Sequence, residues 1–469
     1  MKVSYLRIQT IAALCAIASQ MTAQDLNTAY FTDDFFFRHD MNPALANERG
    51  YFSMPALGNF NLGVQGNLGI GDVLYNNPDP TGKKTVTFMH PSISYDEAMK
   101  NISDNGAKVR TDFRLTLLSA GFKAFGGYNT IEVSNRLMAG ISLPRSIFEF
   151  AKGISNKEYS FDEMAVRGID YAELALGHSR NINDRLRIGA KAKLLVGIGR
   201  ADLSVTDMKA QLVGDTWRLQ GQAKGELNLK GATFKRETTE YKARPGTYEQ
   251  VNDINTDDLS LPSGTGFAVD LGAVYRLTDD LTLSAALTDL GFISWSTTAT
   301  ATNNGQPFLF DGFHDVALDD DYAAPGQKAE DQSDSYADQF ADFIHLNATD
   351  DTGGKSTALA ATARIGAEYQ LPMYRKLSAG LLFSHQFAGS NFSWTETRLS
   401  ANWKPLKWID GGVSLALGNY SNSFGWVLNI HPKGFSCFIG MDRLITKVND
   451  DHIPLSPNAN LAFGFNISW

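Results

Sequence analysis

Strict alternation of apolar and polar side chains is the feature that most constrains how this chain can fold. Residues 185–200 show it most clearly, because one face is apolar and the opposite face carries cations. The apolar face consists of Leu186, Ile188, Ala190, Ala192, Leu194, Val196 and Ile198. The cations are Arg185, Arg187, Lys191 and Lys193. Successive side chains of a strand point to opposite sides, so the pattern predicts a strand with one apolar and one hydrophilic face.

The same pattern recurs along most of the chain. Further alternating segments lie at 60–70, 131–143, 171–178, 217–229, 267–277, 281–287, 359–369, 377–387, 399–403, 413–417, 424–430, 435–441 and 460–469. Beyond residue 23 there is no apolar run of about 18 residues, which a transmembrane helix would need. A bilayer is otherwise crossed only by a closed barrel. We therefore predict an all-β transmembrane antiparallel barrel of about fourteen strands, with sixteen as the alternative. A large soluble β protein is the competing fold.

The four cations on the face opposite the apolar residues also indicate how this strand is oriented in a barrel. A cation that faces lipid at the bilayer centre costs roughly 2–4 kcal/mol. Arg185, Arg187, Lys191 and Lys193 are therefore predicted to face the lumen of the barrel, where acidic partners would be needed to balance them.

The N-terminus predicts export from the cytoplasm. Lys2 and Arg7 precede an apolar core at residues 8–18, which is typical of a signal peptide cleaved after Ala23. Removing residues 1–23 leaves 40 of the 42 basic residues and all 51 acidic ones, a net charge of −11. Such an acidic chain argues against nucleic acid as a partner. Only Cys437 remains after cleavage, so no intramolecular disulfide can form. We expect the protein in the outer membrane of a Gram-negative bacterium.

The last residues resemble the closing strand of bacterial outer-membrane barrels. Apolar residues alternate up to a terminal aromatic: Leu461, Phe463, Phe465, Ile467 and Trp469. In such barrels the C-terminal aromatic is part of the signal that the barrel-insertion machinery reads, and we assign this role to Phe465, Ile467 and Trp469. If the barrel closes, residues 461–469 must pair with the first strand, which we predict at residues 60–70.

Three segments interrupt the alternation. Residues 24–50 are rich in aromatics, and we predict either a hatch in or under the lumen or an ordered lead-in to a barrel spanning 51–469. The polar stretches near 230–262 and 303–354 are predicted to be long extracellular loops. Within the second, Asp319, Asp320 and Asp321 have oxygen ligands that suit Ca²⁺. A solvated acidic loop is the simpler interpretation, so we predict no metal site.

Two stretches resemble known families. The hairpin from Ser263 to Phe292, with its pattern GxxxDLGxxYxL-turn-LxLxxALxDLGF, resembles that of the FadL/TodX outer-membrane transporter superfamily, and Asn42-Pro43-Ala44 is similar to that superfamily's start. Residues 28–69 more closely resemble a set of uncharacterised outer-membrane barrels with a domain of unknown function. The resemblance implies either a passive channel for hydrophobic molecules or a subunit of a type IX-like secretion apparatus.

Catalytic motifs are missing from the sequence. HExxH and GxSxG do not occur, and the eight histidines are scattered. We therefore predict no catalytic, cofactor-binding or metal-binding residues. Three hypotheses remain: a channel for small hydrophobic solutes, a non-conducting scaffold that binds secretion-system or surface-assembly subunits, and an outer-membrane enzyme. Apart from these solutes or subunits, the expected partners are outer-membrane lipid and the barrel-insertion machinery.

Overall fold

The computed structural model describes residues 25–45, 47, 49–77, 85–153, 155–213, 216–241, 244–303, 305–312, 329–349, 353–389, 391–444 and 458–469. The predicted signal peptide and Asp319, Asp320 and Asp321 lie outside the described residues. No helix among the described residues is long and apolar enough to cross a membrane.

Fourteen antiparallel strands form a closed barrel, which confirms the predicted fold class. The wall strands are β1 (Tyr51–Ser53 with Asn59–Gly66), β2 (Ala107–Ala124), β3 (Gly127–Leu143), β4 (Ala165–Asn181), β5 (Leu186–Val213), β6 (Gly264–Arg276), β7 (Leu281–Trp295), β8 (Lys355–Ala358 with Ala361–Gln370), β9 (Leu377–Phe387), β10 (Trp394–Leu406), β11 (Ile409–Gly418), β12 (Ser423–Ile430), β13 (Gly434–Met441) and β14 (Ala459–Ser468). Each pairs with the next in sequence, and β14 pairs back onto β1.

The closure begins earlier in the chain than the alternation predicts. Tyr51 lies opposite Ser468, and after an interruption at 54–58 Phe60 lies opposite Phe463. The prediction of a first strand at 60–70 is therefore wrong at both ends, because the wall strand starts at Tyr51 and a 3-10 turn begins at Ile70. The interruption adds residues to β1 alone and breaks the two-residue period, which hid the first part of the strand. The wall extends this far because β14 needs a partner along its whole length in lipid.

The two ends of the barrel differ in their connections. Six short turns, at 125–126, 182–185, 277–280, 371–376, 407–408 and 431–433, lie at the end that also holds Gly50 and Trp469. All the longer connections lie at the opposite end. We call these the short-turn end and the long-loop end. In bacterial outer-membrane barrels the short turns face the periplasm.

The long-loop end contains more regular structure than the polar composition predicts. Strand β5 is 28 residues long, and its residues 200–213 continue beyond β6 and pair with the strand Thr216–Asn228. Residues 230–262 contain the hairpin of Thr233–Tyr241 and Arg244–Asn255 instead of an irregular loop. Both strands of this hairpin are polar on both faces, so no alternation marks them.

The acidic stretch 303–354 likewise contains a helix, Ala329–Ile344, between short strands. Tyr336 and Phe340 lie one turn apart on this helix and pack on the strand Phe308–Phe310, with the Phe310 and Tyr336 rings 4.7 Å apart. This four-residue spacing is a helical signal that the surrounding acidic residues obscured. These elements remain connections between wall strands.

The polarity of the wall is inverted relative to a soluble protein. The outward side chains are apolar and exposed, such as Leu194 at 59 %, Ile365 at 62 % and Leu417 at 65 %. The buried inward side chains are mostly polar or charged, including Arg398, Asn402 and Ser414. An apolar outer belt around a closed barrel is the arrangement that lipid stabilises.

The closure predicts a specific crosslink. Ser53 and Asn466 are opposite each other in a non-hydrogen-bonded pair, where Cα atoms lie about 4.5 Å apart. In a Cys437→Ser background, Ser53→Cys with Asn466→Cys should form a disulfide between β1 and β14, seen as a mobility shift that a reductant reverses. Ser53→Cys with Asn460→Cys, six residues away from Asn466 along β14, is the control. A crosslink in the control pair alone would contradict the register.

Candidate functional site

The described residues of 25–49, which are 25–45, 47 and 49, contact inward side chains of the wall, and we call them the lumen segment. The segment contains a 3-10 turn at Asn27–Ala29 and the short helix α1 (Arg38–Met41). Its apolar side chains form one cluster with inward residues of the wall, and this cluster comprises Leu26, Ala29, Tyr30, Phe31, Phe35, Phe36, Phe37, Met41, Tyr51, Leu382, Val427, Phe438 and Ala462. The aromatic residues that the sequence singled out in this stretch therefore fill the lumen.

One carboxylate of the wall caps the start of the lumen segment. Asp442, directly after β13, accepts hydrogen bonds from the backbone N–H groups of Asn27 at 2.8 Å and Thr28 at 2.7 Å. These amides begin the 3-10 turn, where an anion is favourable, and the Asn27 N–H also donates to the Asp25 carbonyl at 2.9 Å. Arg398 of β10 donates to the Thr28 hydroxyl at 3.0 Å, and the same hydroxyl lies 2.8 Å from that of Ser414.

Two aspartates of the lumen segment hold it to opposite parts of the wall. Asp25 bridges Arg114 of β2 at 3.0 Å and Arg364 of β8 at 2.9 Å. Asp40 contacts Lys191 of β5 at 2.5 Å and Arg114 at 3.1 Å. All of these side chains are largely buried. Because a buried charge needs a partner, each aspartate and its cations stabilise one another in this position.

The structure separates the four cations that the sequence grouped together. Lys191 and Lys193 point inward and are each 2 % exposed. Arg187 is partly buried and donates to the Ser179 hydroxyl at 3.2 Å. Arg185 is exposed at the short turn before β5. Only the two lysines therefore lie deep in the lumen.

Lys193 belongs to a buried charge network that the sequence analysis did not identify. Its ammonium lies 2.8 Å from Asp270 and 2.6 Å from Asp289, and Arg136 contacts Asp289 at 2.8 Å. The backbone N–H of Asp289 donates to the Asp270 carboxylate at 2.7 Å. The regular strand conformation of β7 is interrupted at Asp289, whose φ is +60°. A signal for this network was present, since Asp-Leu-Gly occurs at both 270–272 and 289–291 in the hairpin pattern.

The Asn42-Pro43-Ala44 motif explains two glycines of the wall. A Cβ atom on Gly272 of β6 would overlap Oδ1 of the Asn42 side chain. A Cβ atom on Gly189 of β5 would overlap the backbone of Pro43. The Asn42 amide also donates to the Tyr30 hydroxyl at 3.1 Å and to the Ala285 carbonyl at 3.3 Å. The motif thus lies flat against β5, β6 and β7, where only glycine leaves room for it.

Two cavities among the described residues lie towards opposite ends of the barrel. The first, which we call the long-loop cavity, has a volume of about 320 Å³. Its apolar lining includes Met138, Ile169, Leu359, Phe387 and Phe392, and its polar lining includes Arg110, Arg167 and Arg200. The arginines are paired with carboxylates; for example, Arg110 lies 2.5 Å from Asp112 and Arg200 3.0 Å from Asp202.

The second space, which we call the vestibule, opens at the short-turn end and has a volume of about 880 Å³. It is lined mainly by polar groups, among them Asp33, Asp34, Arg185, Arg187 and Glu368. The predicted lumen residues Arg185 and Arg187 therefore lie at this mouth. Residues of the lumen segment line the vestibule and not the long-loop cavity.

The C-terminal residues assigned to assembly lie on the outer face of β14 and at its end. Phe465, Ile467 and Trp469 are 51 %, 49 % and 68 % exposed. The Trp469 N–H donates to the Gly50 carbonyl at 3.0 Å, and its indole ring covers Gly50, where a Cβ atom would overlap it. The terminal aromatic thus lies at the seam between the last and first strands.

A closed fourteen-stranded barrel with an apolar outer belt and a charged, filled lumen defines an outer-membrane β-barrel. The chain belongs to the family of unknown function DUF5723, whose model matches residues 43–442. This confirms the predicted membership of an uncharacterised barrel family. No curated protein matches the chain.

Several solved structures of transporters are similar to this chain over most of its length. The toluene transporter TbuX of Ralstonia pickettii has a TM-score of 0.40 and 9 % identity, with 92 % of each chain covered. The P. putida toluene transporter TodX has a TM-score of 0.37 and 8 % identity, covering 91 % of this chain and 90 % of TodX. A Pseudomonas aeruginosa FadL homologue has a TM-score of 0.37 and 12 % identity over 91 % and 90 % of the two chains. At these scores the fold assignment rests on the strand pairing of this chain.

The ion pairs of the lumen segment predict a large loss of stability when one is broken. Asp40→Asn leaves Arg114 and Lys191 buried without their shared carboxylate, and should lower the free energy of unfolding by roughly 3–5 kcal/mol. Samples are heated before electrophoresis, and the measurement is the temperature at which the band of the folded barrel is replaced by that of the unfolded chain. Asp33→Asn is the matched control, because Asp33 is 67 % exposed in its pair with Arg38 and should contribute at most about 1 kcal/mol. Equal shifts in the two variants would contradict the assignment.

Proposed function

We propose that the protein is a passive outer-membrane channel for small hydrophobic or amphiphilic molecules. The observation that carries the proposal is the long-loop cavity, whose apolar side chains and arginines face a space within the barrel. A cavity with an apolar lining and few polar groups suits a small ligand with an apolar body. Its volume of about 320 Å³ is large enough for a single aromatic ring with substituents. We place the long-loop end outside the cell and the short-turn end in the periplasm.

In this proposal the lumen segment acts as a hatch. It lies between the long-loop cavity and the vestibule, so a solute that reaches the periplasm must pass it or leave through the wall. The ion pairs of Asp25 and Asp40 attach the hatch to β2, β5 and β8. Movement of the hatch would require these pairs to exchange partners or to be hydrated.

A second function, a non-conducting scaffold for a secretion or surface-assembly machine, is supported by the same attachment. A segment held by buried ion pairs, an aspartate cap and an aromatic cluster fills the lumen without needing to move. The sheet and helix above the long-loop end would then supply the binding surface for a partner. We propose transport rather than catalysis.

The long-loop cavity can be tested by filling it. Met138→Trp places a larger side chain in the cavity and should lower toluene uptake by intact cells several-fold. Leu137→Trp is the matched control, because Leu137 directly precedes Met138 in β3 and its side chain points to the opposite face of the strand. Folded protein in the outer membrane is quantified for both variants. Unchanged uptake in folded Met138→Trp would remove the cavity from the route.

The channel and the scaffold differ in whether the lumen segment must move. Thr28 of the segment and Ser414 of β11 have hydroxyl oxygens 2.8 Å apart, so cysteines at both positions are placed to form a disulfide. In a Cys437→Ser background, the oxidised Thr28→Cys, Ser414→Cys protein should take up less toluene than the same protein after reduction. Equal uptake in both states would contradict a moving hatch and favour the scaffold. Each single cysteine variant serves as the control for oxidation itself.

A further inference from the structure

We propose that Asp34, Asp410 and His431 form a binding site for a divalent transition metal ion, with Zn²⁺ as the best fit. The site joins the lumen segment to the wall at the short-turn end. Asp34 belongs to the lumen segment, Asp410 is the second residue of β11, and His431 directly follows β12. Their ligand atoms all lie within 4.8 Å of one another. The proposal does not depend on whether the barrel conducts.

The distances fit a metal better than they fit hydrogen bonds. His431 Nε2 lies 3.4 Å from Asp410 Oδ1 and 3.7 Å from Asp34 Oδ2. Tetrahedral Zn²⁺ with bonds of about 2.0–2.1 Å keeps its ligand atoms about 3.3–3.4 Å apart. The His431 ring is 1 % exposed, and its Nε2 atom has no hydrogen-bond partner among the described residues. A buried imidazole nitrogen directed at two carboxylates thus leaves a coordinating lone pair unused.

The surroundings orient the ligands and leave access for an ion. The Asn429 amide donates to Asp410 Oδ1 at 2.8 Å, and the Asp34 N–H donates to Asp410 Oδ2 at 3.3 Å. Such outer contacts fix carboxylate ligands in metal sites. Asp34 also lines the vestibule, so an ion can reach the site from the short-turn end. Three protein ligands leave a fourth position for water.

Two cations near the site would have to adjust. Lys404 forms an ion pair with Asp34, and its side chain is 40 % exposed, so it can turn into solvent. Arg49 lies 3.4 Å from His431 Nδ1, which must carry the proton when Nε2 binds a metal. Arg49 would lose only its contact with Nδ1, because it keeps shorter hydrogen bonds to the backbone carbonyls of His431 at 2.7 Å and Pro432 at 2.8 Å. Metal binding would therefore compete mainly with Lys404.

A second group of possible ligands, His39, Asp40 and Glu132, does not suit a metal. Arg114 lies 3.1 Å from Asp40 and 2.6 Å from Glu132, and Lys191 lies 2.5 Å from Asp40. These buried cations already balance both carboxylates. At the Asp34 site the neighbouring lysine is half exposed instead, which distinguishes the two groups.

The test is calorimetric titration of the full-length, chelator-treated protein in detergent with Zn²⁺ alone. One ion should bind per chain. Asp34→Asn and His431→Gln should each weaken binding at least ~10-fold, since even outer contacts of metal sites are worth that much. Lys404→Met should tighten it several-fold by removing the competing cation. Asp33→Asn, at the adjacent exposed carboxylate, is the matched control and should leave the affinity unchanged.

Co²⁺ provides a second readout that a structural role would not change. Its visible absorption should show tetrahedral coordination in the wild type and Asp33→Asn, and lose that signature in Asp34→Asn. Heat-dependent mobility on a gel verifies that each variant is folded. Absence of binding in both the wild type and Lys404→Met would overturn the proposal. Zn²⁺ affinity that is the same in Asp34→Asn, His431→Gln and the wild type would also overturn it.

Discussion

The backbone pairing of β14 with β1 is the constraint on which the rest of this structure depends. In lipid an unpaired strand edge leaves backbone groups without partners, at a cost of several kcal/mol each. The chain meets this constraint by extending β1 back to Tyr51 across an interruption at 54–58. The closed wall then fixes which side chains point inward. Everything else in the lumen follows from that assignment.

Closure creates an interior in which charge must be balanced locally. The wall directs arginines, lysines and carboxylates into a space partly removed from water, where each needs a partner. Some find it on neighbouring strands, as Lys193 does with Asp270. Others find it on the lumen segment, as Arg364 does with Asp25. The segment is thus both an apolar filling, through its aromatics, and a counterion for the wall.

The same arrangement gives the lumen segment several independent attachments of different chemistry. Asp442 caps its first turn, Asp25 and Asp40 form ion pairs, and the aromatic residues pack among the inward side chains. The Asp34, Asp410 and His431 group lies beside the vestibule, which Asp34 also lines. A segment attached in this way can be released only by a change that affects more than one type of contact.

The fold class was predicted correctly because its signal, the alternation of side chains, is local. In the structure Lys191 and Lys193 are buried, and Leu194 and Val196 are exposed. Prediction failed where the local period is broken. The start of β1 was missed because the interruption at 54–58 shifts the register. The helix Ala329–Ile344 was missed because acidic residues surround its apolar positions.

The sequence by itself determined the class of fold. Side chains alternate with a period of two residues, and beyond residue 23 no apolar run reaches the roughly 18 residues of a transmembrane helix, so a closed barrel is the structure that can cross lipid. The tertiary structure decided which charges meet. Asp25 and Arg364 are 339 residues apart, and no local pattern relates them. Their pairing depends on barrel closure and on the path of the lumen segment. The Asp34, Asp410 and His431 group has the same origin, since its members come together only when the segment lies against β11 and β12.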